Sequence, residues 1–223
     1  MKKNSIWSTR TIAEIGIFAA LGYVLDFLAG TYSQGLFASG GSIGIAMICV
    51  FIITYRRGFI PGILVGLIMG LLDIVDGFYA IGKTWYDTFF QVMLDYVIAY
   101  PLAAIGAGIF RKLVINANTK GKLVTYVTLG SITGGLLKFL AHFLSGVIFW
   151  GDDSGMVWSE FHGKPGLYSF LYNGAYMLPC IVICTILMII ICVYQGQLLL
   201  NPNSSFVSLK KKENKNIENK ENN

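Results

Sequence analysis

The sequence predicts an all-helical integral membrane protein, a bundle of six transmembrane helices with both termini in the cytoplasm. Three observations carry this prediction: the composition, the length of the apolar segments and the distribution of basic residues. Hydrophobic residues make up 55% of the 223 residues and mean hydropathy is +0.63. Charged residues contribute 13%, about half the share of a soluble domain. A chain of this length suits one compact bundle.

The apolar segments are long enough, or nearly so, to cross a bilayer as helices at 1.5 Å per residue. They cover roughly residues 11–29, 42–55, 58–76, 88–110, 123–149 and 166–194. The second is short and begins at Gly40-Gly41-Ser42, which predicts a tilted or partly irregular span shielded by its neighbours. Residues 1–200 form the predicted membrane domain. Residues 201–223, rich in Asn, Lys and Glu, predict a disordered cytoplasmic tail.

Basic residues set the predicted orientation. Of 17 Lys and Arg, fourteen lie in segments that share one side of the membrane: Lys2, Lys3, Arg10, Arg56, Arg57, Arg111, Lys112, Lys120, Lys122, Lys210, Lys211, Lys212, Lys215 and Lys220. Lys83 and Lys164 lie in the alternate loops, and Lys138 lies within an apolar stretch. Short basic loops stay in the cytoplasm of a bacterial cell, so both ends are predicted inside. The same pattern accounts for the net charge of +5 without a nucleic-acid partner.

Residues 77–84 match the phosphate-binding pattern G-x-x-x-x-G-K-[ST], but the context is wrong. That motif needs a preceding strand in an α/β domain, whereas here it follows an apolar span and lies in an outer loop. We therefore interpret the match as chance, and any ATP-driven role would require partner subunits. The four cysteines lie in apolar runs without a neighbouring His, which favours packing residues over a metal site.

Charged and amide side chains inside the spans are costly and mark functional candidates. Asp95, His142 and Asn173 each lie about 10 Å below the outer end of their own span, and Lys138 lies one turn deeper than His142 on the same face. This depth matching predicts one pocket open to the outside. Glu14, Asp26 and Asp73 lie about one turn from a membrane surface, where structural roles are expected. The alternative for Asp95 and Lys138 is a buried salt bridge that holds helices together.

The outer loops and their borders are rich in aromatic residues: Tyr32, Phe37, Trp85, Tyr86, Trp150, Trp158, Phe161 and Tyr168. A carboxylate beneath aromatic rings suits a cationic or amidine-like aromatic ligand. Two other functions compete. An intramembrane enzyme could use Asp95 and His142 as acid and base, although no nucleophile stands beside a base. An ion-coupled carrier would be expected to show an inverted repeat, which is not apparent.

Several runs resemble the thiamine-specific substrate-binding (S) component of energy-coupling-factor (ECF) transporters. They are AEIGIFAALGYVLDFLAGTYSQGLFASGGSIGIAM, YRRGFIPGILVGLIMGLL, LDYVIAYPLA, KFLAHFLSGVIFW and LYSFLYNGAYMLP. The resemblance covers about residues 11–195. It implies six membrane helices, capture of thiamine from outside, no cofactor or catalytic residue, and association with one transmembrane coupling protein and two ATPases. An S component for another small vitamin or heterocycle is the alternative.

The resemblance also implies a set of ligand-binding residues. They are Asp95, Tyr96, Lys138, His142, Gly146, Trp150, Tyr168, Asn173 and Phe37, together with Trp85 or Tyr86, between which the register stays open. The family usually has Glu at the position of Asp95 and Trp at that of Phe37. Asp is one methylene shorter, and Phe is a weaker cation–π partner. The small residues Gly16, Ala19 and Ala20 match approximately the contact motif toward the coupling protein.

Overall fold

The computed structural model describes residues 7–33, 35–37, 40–82, 84–150 and 159–199, which fold as an all-helical bundle. The helices are α1 (Thr9–Ser33), α2 (Met47–Arg57), α3 (Phe59–Asp76), α4 (Trp85–Val92), α5 (Ala99–Ile115), α6 (Lys120–Ser145) and α7 (Pro165–Leu199). A π-helical turn, Met93–Ile98, joins α4 to α5, and a second, Gly146–Trp150, continues α6. The predicted tail at 201–223, Lys83 and Trp158 lie outside the described residues.

Five helices of the described chain are long and apolar enough to cross a membrane. They are Thr9–Ser33, Phe59–Asp76, Trp85–Ile115, Lys120–Trp150 and Pro165–Gly196. The second predicted span differs from the others, because α2 has 11 residues and a length of about 16 Å. Its residues from Met47 to Tyr55 are all buried. This part of the chain therefore runs through the interior of the bundle as a short helix preceded by non-helical backbone.

The non-helical segment at residues 40–46 has its backbone groups bonded by side chains. The Ile43 amide donates to Ser33 Oγ at 3.1 Å, and the Gly44 amide contacts Cys180 Sγ at 3.2 Å. Tyr172 donates to the Gly40 carbonyl at 2.9 Å, and Tyr32 donates to that of Ile43. Irregular backbone at membrane depth is tolerated where such partners replace the missing helical bonds.

Glycines allow the helices beside this segment to approach closely. A Cβ added at Gly106 would lie 2.6 Å from the Cα of Gly134, so α5 and α6 meet backbone to backbone. On α3, a Cβ at Gly66 would lie 2.7 Å from the Tyr100 carbonyl carbon. Small residues at these crossings are typical of membrane bundles, where packing rather than hydrophobic transfer holds helices together.

An ionic cluster closes the end of the bundle away from residues 40–46. Glu14 accepts two hydrogen bonds of 2.6 Å from Arg57, and two more, of 3.1 and 3.3 Å, from Arg56. Arg56 also donates to the Leu198 carbonyl, and Arg111 donates to that of Tyr55. These bonds tie α1, α2, α5 and α7 together at the end that carries the basic residues.

The segment that matches the phosphate-binding pattern lacks the structural context of that motif. It follows α3, a helix, and residues 77–82 have no regular secondary structure. Thr84 begins α4 as an N-cap, and its side chain and that of Asp87 form a reciprocal capping box. The geometry therefore agrees with the interpretation of the match as chance.

Candidate functional site

A cavity of about 630 Å³ lies between α1, α3, α6, α7, the π-helical turn Met93–Ile98 and the non-helical segment at 40–46. Nine of the predicted ligand-binding residues line it: Phe37, Asp95, Tyr96, Lys138, His142, Gly146, Trp150, Tyr168 and Asn173. Trp85 and Tyr86 do not. The polar residues whose depths matched in the sequence thus surround one cavity.

The first π-helical turn carries Asp95 on the cavity wall. One carboxylate oxygen, Oδ1, lies 3.4 Å from His142 Nδ1, and the other, Oδ2, accepts a hydrogen bond of 2.7 Å from Ser145 Oγ. The Asp95 side chain keeps 18% exposure and that of His142 keeps 13%. Both oxygens are thus held by α6 while one face of the carboxylate stays open to the cavity.

Lys138 does not pair with Asp95. Its ammonium nitrogen lies 3.4 Å from the centroid of the Tyr100 ring, and no carboxylate within the described residues comes within 4.0 Å of it. Tyr100 in turn donates a hydrogen bond to Asp26. The buried Asp95–Lys138 salt bridge, the alternative drawn from the sequence, is therefore absent from this part of the chain. His142 and Ser145 take the place of Lys138 as partners of Asp95.

Three tyrosines of α7 form an aromatic wall. Tyr168, Tyr172 and Tyr176 follow one another at intervals of four residues, so they share one helix face. The rings of Tyr168 and Tyr172 stack at 5.6 Å, and Phe37 meets Tyr176 edge-on at 5.5 Å. All four rings line the cavity. Tyr172 and Tyr176 were missed in the sequence, although their spacing with Tyr168 could have revealed them.

Asn173 and Gly146 mark the close contact between α6 and α7. The Asn173 amide nitrogen donates to Ser169, and its oxygen accepts a 2.6 Å hydrogen bond from Tyr176. A Cβ at Gly146 would lie 2.2 Å from Ser169 Oγ, so a larger residue would push the helices apart. The second π-helical turn begins here and carries Trp150, which is 7% exposed, to the cavity wall beside Tyr168.

The loop after α3 contributes a different aromatic residue from those predicted. Trp85 and Tyr86 are 81% and 48% exposed, and their rings contact each other. Tyr79 lines the cavity instead. Its amide donates to Tyr96 Oη at 3.0 Å, and its carbonyl accepts from Gln91 at 3.1 Å. The loop is therefore fixed against the helical segment that carries Asp95, with Tyr79, 54% exposed, at the rim of the cavity.

The cavity is richer in carboxylates than the sequence indicated. Asp26 and Asp73, which we expected in structural roles, line it together with Asp76 and Asp95. Among the described residues that line the cavity, Lys138 is the one lysine or arginine. Asp26 is also held in place by Tyr100 and by Ser42, whose Oγ lies 3.4 Å away. Because four Asp side chains and one Lys line the cavity together with aromatic rings, the cavity favours a small organic cation as its ligand.

The small residues of α1 face two ways. Ala19 is 1% exposed and packs in the core, whereas Gly16 and Ala20 are exposed. A Cβ added at Gly16 would meet nothing within 4 Å. Of these three small residues, Gly16 and Ala20 therefore lie on the outer surface of the bundle and Ala19 does not.

Fold and site together define a multi-pass membrane protein with a deep cavity suited to a small cationic ligand. The family model described as "Thiamine transporter protein (Thia_YuaJ)" matches residues 12–200, and this chain belongs to that family. The match confirms the resemblance seen in the sequence. Because the family is one of transporters, the chain is a bacterial membrane transport protein and not an enzyme.

Individual relatives agree with the family assignment. "Thiamine transporter ThiT" of Bacillus subtilis is 35% identical over 193 residues, which cover 84% of this chain and 93% of the relative. "Thiamine transporter ThiT" of Lacticaseibacillus paracasei is 27% identical over 168 residues, covering 73% and 77%. The solved structure of ThiT from Listeria monocytogenes superposes with a TM-score of 0.70 at 28% identity, over 85% of this chain and 97% of that one.

Proposed function

We propose that this chain captures thiamine in the cavity from the outer side of a bacterial cell membrane, as the substrate-binding subunit of an ECF-type importer. The observation that carries the proposal is the orientation of Asp95. His142 and Ser145 hold its two oxygens, and its open face looks into an aromatic cavity. Relatives that carry the name thiamine transporter support the choice of ligand.

The chemistry of thiamine fits this wall. An aminopyrimidine offers an exocyclic amine that donates a hydrogen bond to a carboxylate, and the neighbouring ring nitrogen donates a second, parallel one when it is protonated. The thiazolium ring carries a permanent positive charge that the faces of Trp and Tyr rings attract. Trp150, Tyr168 and Tyr172 provide such rings beside Asp95, and the surrounding carboxylates add to the attraction. Asn173 supplies a further polar contact at the same depth as Asp95, and Lys138 supplies one a helical turn deeper.

For the topology, we propose six membrane-embedded helical segments with both ends in the cytoplasm, with the short helix α2 as the second of them. The ionic cluster around Arg56 and Arg57 lies at the end of the bundle opposite the cavity mouth. Short basic segments favour the cytoplasmic side. In this orientation the cavity opens to the outside of the cell. Residues 201–223 would then follow α7 into the cytoplasm.

For energy coupling, we propose that the chain works with a transmembrane coupling protein and two ATPases. The exposed pair Gly16 and Ala20 on α1 offers a face without bulky side chains, at which another membrane helix could approach closely. Gly16→Leu should then reduce ATP-dependent uptake in membranes that contain the complete importer. Thiamine binding by the isolated chain should be unchanged.

Calorimetric titration of the purified full chain with thiamine, without ATP, tests the proposed ligand. We expect saturable one-to-one binding that Asp95→Asn and Trp150→Ala weaken by at least about ten-fold, since each removes a charged or aromatic contact. Trp85→Ala is the matched control, because that tryptophan is exposed and lies off the cavity. Normal affinity in both cavity variants would refute the site.

A further inference from the structure

Ser145 lies directly behind the carboxylate that faces the ligand cavity. It is fully buried, and it is not among the residues that line the cavity. Its hydroxyl donates to Asp95 Oδ2 at 2.7 Å, across the contact between α6 and the first π-helical turn. Ser145 therefore contacts the Asp95 carboxylate on the side that faces away from the cavity.

The direction of this hydrogen bond is unusual for a helical serine. In the interior of a helix, a serine hydroxyl commonly bonds the carbonyl one turn earlier on its own helix. Ser145 instead bonds a carboxylate on a neighbouring helix, which is the stronger acceptor. The Ser145 hydroxyl is therefore directed at Asp95 and not at its own helix backbone.

The other oxygen of Asp95 is held less closely. His142 Nδ1 lies 3.4 Å from Oδ1, a longer separation than the 2.7 Å of the Ser145 bond. A carboxylate with His142 as its one neighbour could rotate about its Cβ–Cγ bond, which has a broad torsional preference. With Ser145 present, both oxygens have fixed positions, and the same edge of the carboxylate faces the cavity.

We propose that Ser145 is a positioning residue for Asp95, which sets the plane of the carboxylate that recognises the aminopyrimidine of thiamine. This inference rests on the proposed function and assigns a residue that the family resemblance did not. It follows that Ser145 contributes to discrimination between ligands without touching them. Its effect should be greatest for the ligand group that bonds Asp95.

The test compares thiamine with an analogue in which oxygen replaces the exocyclic amine, using calorimetry on the purified chain. In Ser145→Ala, thiamine affinity should fall about ten-fold, since binding must then also fix the orientation of the Asp95 carboxylate. The analogue has lost the exocyclic donor and keeps only a ring N–H toward Asp95, so its affinity should fall less than that of thiamine. The ratio of thiamine affinity to analogue affinity should therefore fall. The same ratio should also fall in Asp95→Asn.

Ser131→Ala is the matched control, since Ser131 is also buried on α6, fourteen residues from Ser145 and off the cavity wall. It should leave the ratio unchanged. One outcome separates the two proposals. If Asp95→Asn lowers the ratio, but Ser145→Ala weakens the binding of both ligands equally or of neither ligand, the positioning role is wrong and the proposed function stands. If Asp95→Asn alters neither the affinity nor the ratio, both proposals are overturned.

Discussion

A Cβ added to Gly70 would lie 2.1 Å from the carbonyl oxygen of Tyr96, so α3 packs directly on the π-helical turn that carries Asp95. A π-helical turn widens the helix by one residue and is common at functional sites. Here it lies against a glycine that leaves room for it. The geometry of the carboxylate thus depends on a residue of another helix that has no side chain.

Gly70→Ala tests this dependence. The added methyl group would overlap the Tyr96 backbone, so we expect a loss of about 1–3 kcal/mol in unfolding free energy. Thiamine affinity should fall as well, because the turn that holds Asp95 must move. Thermal unfolding and calorimetry measure the two effects. Gly121→Ala, where a Cβ meets nothing within 4 Å, should leave both unchanged or raise stability slightly.

Tyr79 and Tyr86 offer a comparison between two tyrosines close together in sequence. The two side chains are similarly exposed, at 54% and 48%, but Tyr79 lines the cavity and Tyr86 does not. Tyr79→Ala should weaken thiamine binding roughly ten-fold through loss of an aromatic contact with the cation. Tyr86→Ala should have little effect. If Tyr86→Ala weakened binding more than Tyr79→Ala in a titration, the register of this loop would differ from the one described.

The contacts of Glu14 predict a contribution to stability at the opposite end of the bundle. Glu14→Gln would leave Arg56 and Arg57 without their shared carboxylate, and we expect a loss of about 1–3 kcal/mol in unfolding free energy. Arg10→Gln is the control, because the Arg10 side chain is 74% exposed and its 4.0 Å contact with Glu14 is long. Denaturation of the two purified variants in the same detergent checks the difference. Equal stability would mean that the cluster contributes nothing.

Ligand binding should stabilise the chain by mass action. Thiamine at one hundred times its dissociation constant should add about 2.7 kcal/mol to the unfolding free energy. The midpoint of thermal unfolding should therefore rise with thiamine concentration, and Asp95→Asn should shift this dependence to higher concentrations. A midpoint that thiamine leaves constant at saturating concentration would contradict the proposed binding.

The sequence was sufficient to predict a common depth for three polar residues that line the cavity, but not the presence of Asp26 and Asp73 beside them. Helical rise is regular, so Asp95, His142 and Asn173 could be set at equal depth by counting residues from the span ends. The same regularity predicts that Lys138 and His142 share a face. All five membrane-length helices also follow predicted spans, with ends that differ by at most five residues.

Other features depend on tertiary contacts that have no simple sequence pattern. The π-helical turn at Asp95 lies against Gly70 of another helix, and residue counting can detect neither this turn nor the second one at Trp150. The pairing of Asp95 with Ser145 rather than Lys138 depends on how two helices are rotated about their axes. Loop register is equally hard to derive from sequence: Tyr79 lines the cavity, whereas Trp85 and Tyr86, which the resemblance implied, do not.

The central claim is that thiamine occupies the cavity with its aminopyrimidine at Asp95, and an experimental structure of the chain with thiamine bound tests it most directly. We predict the exocyclic amine within about 3.2 Å of an Asp95 carboxylate oxygen, and a thiamine ring against Trp150 or the α7 tyrosines. Thiamine bound elsewhere, with the cavity filled by water or lipid, would contradict the account.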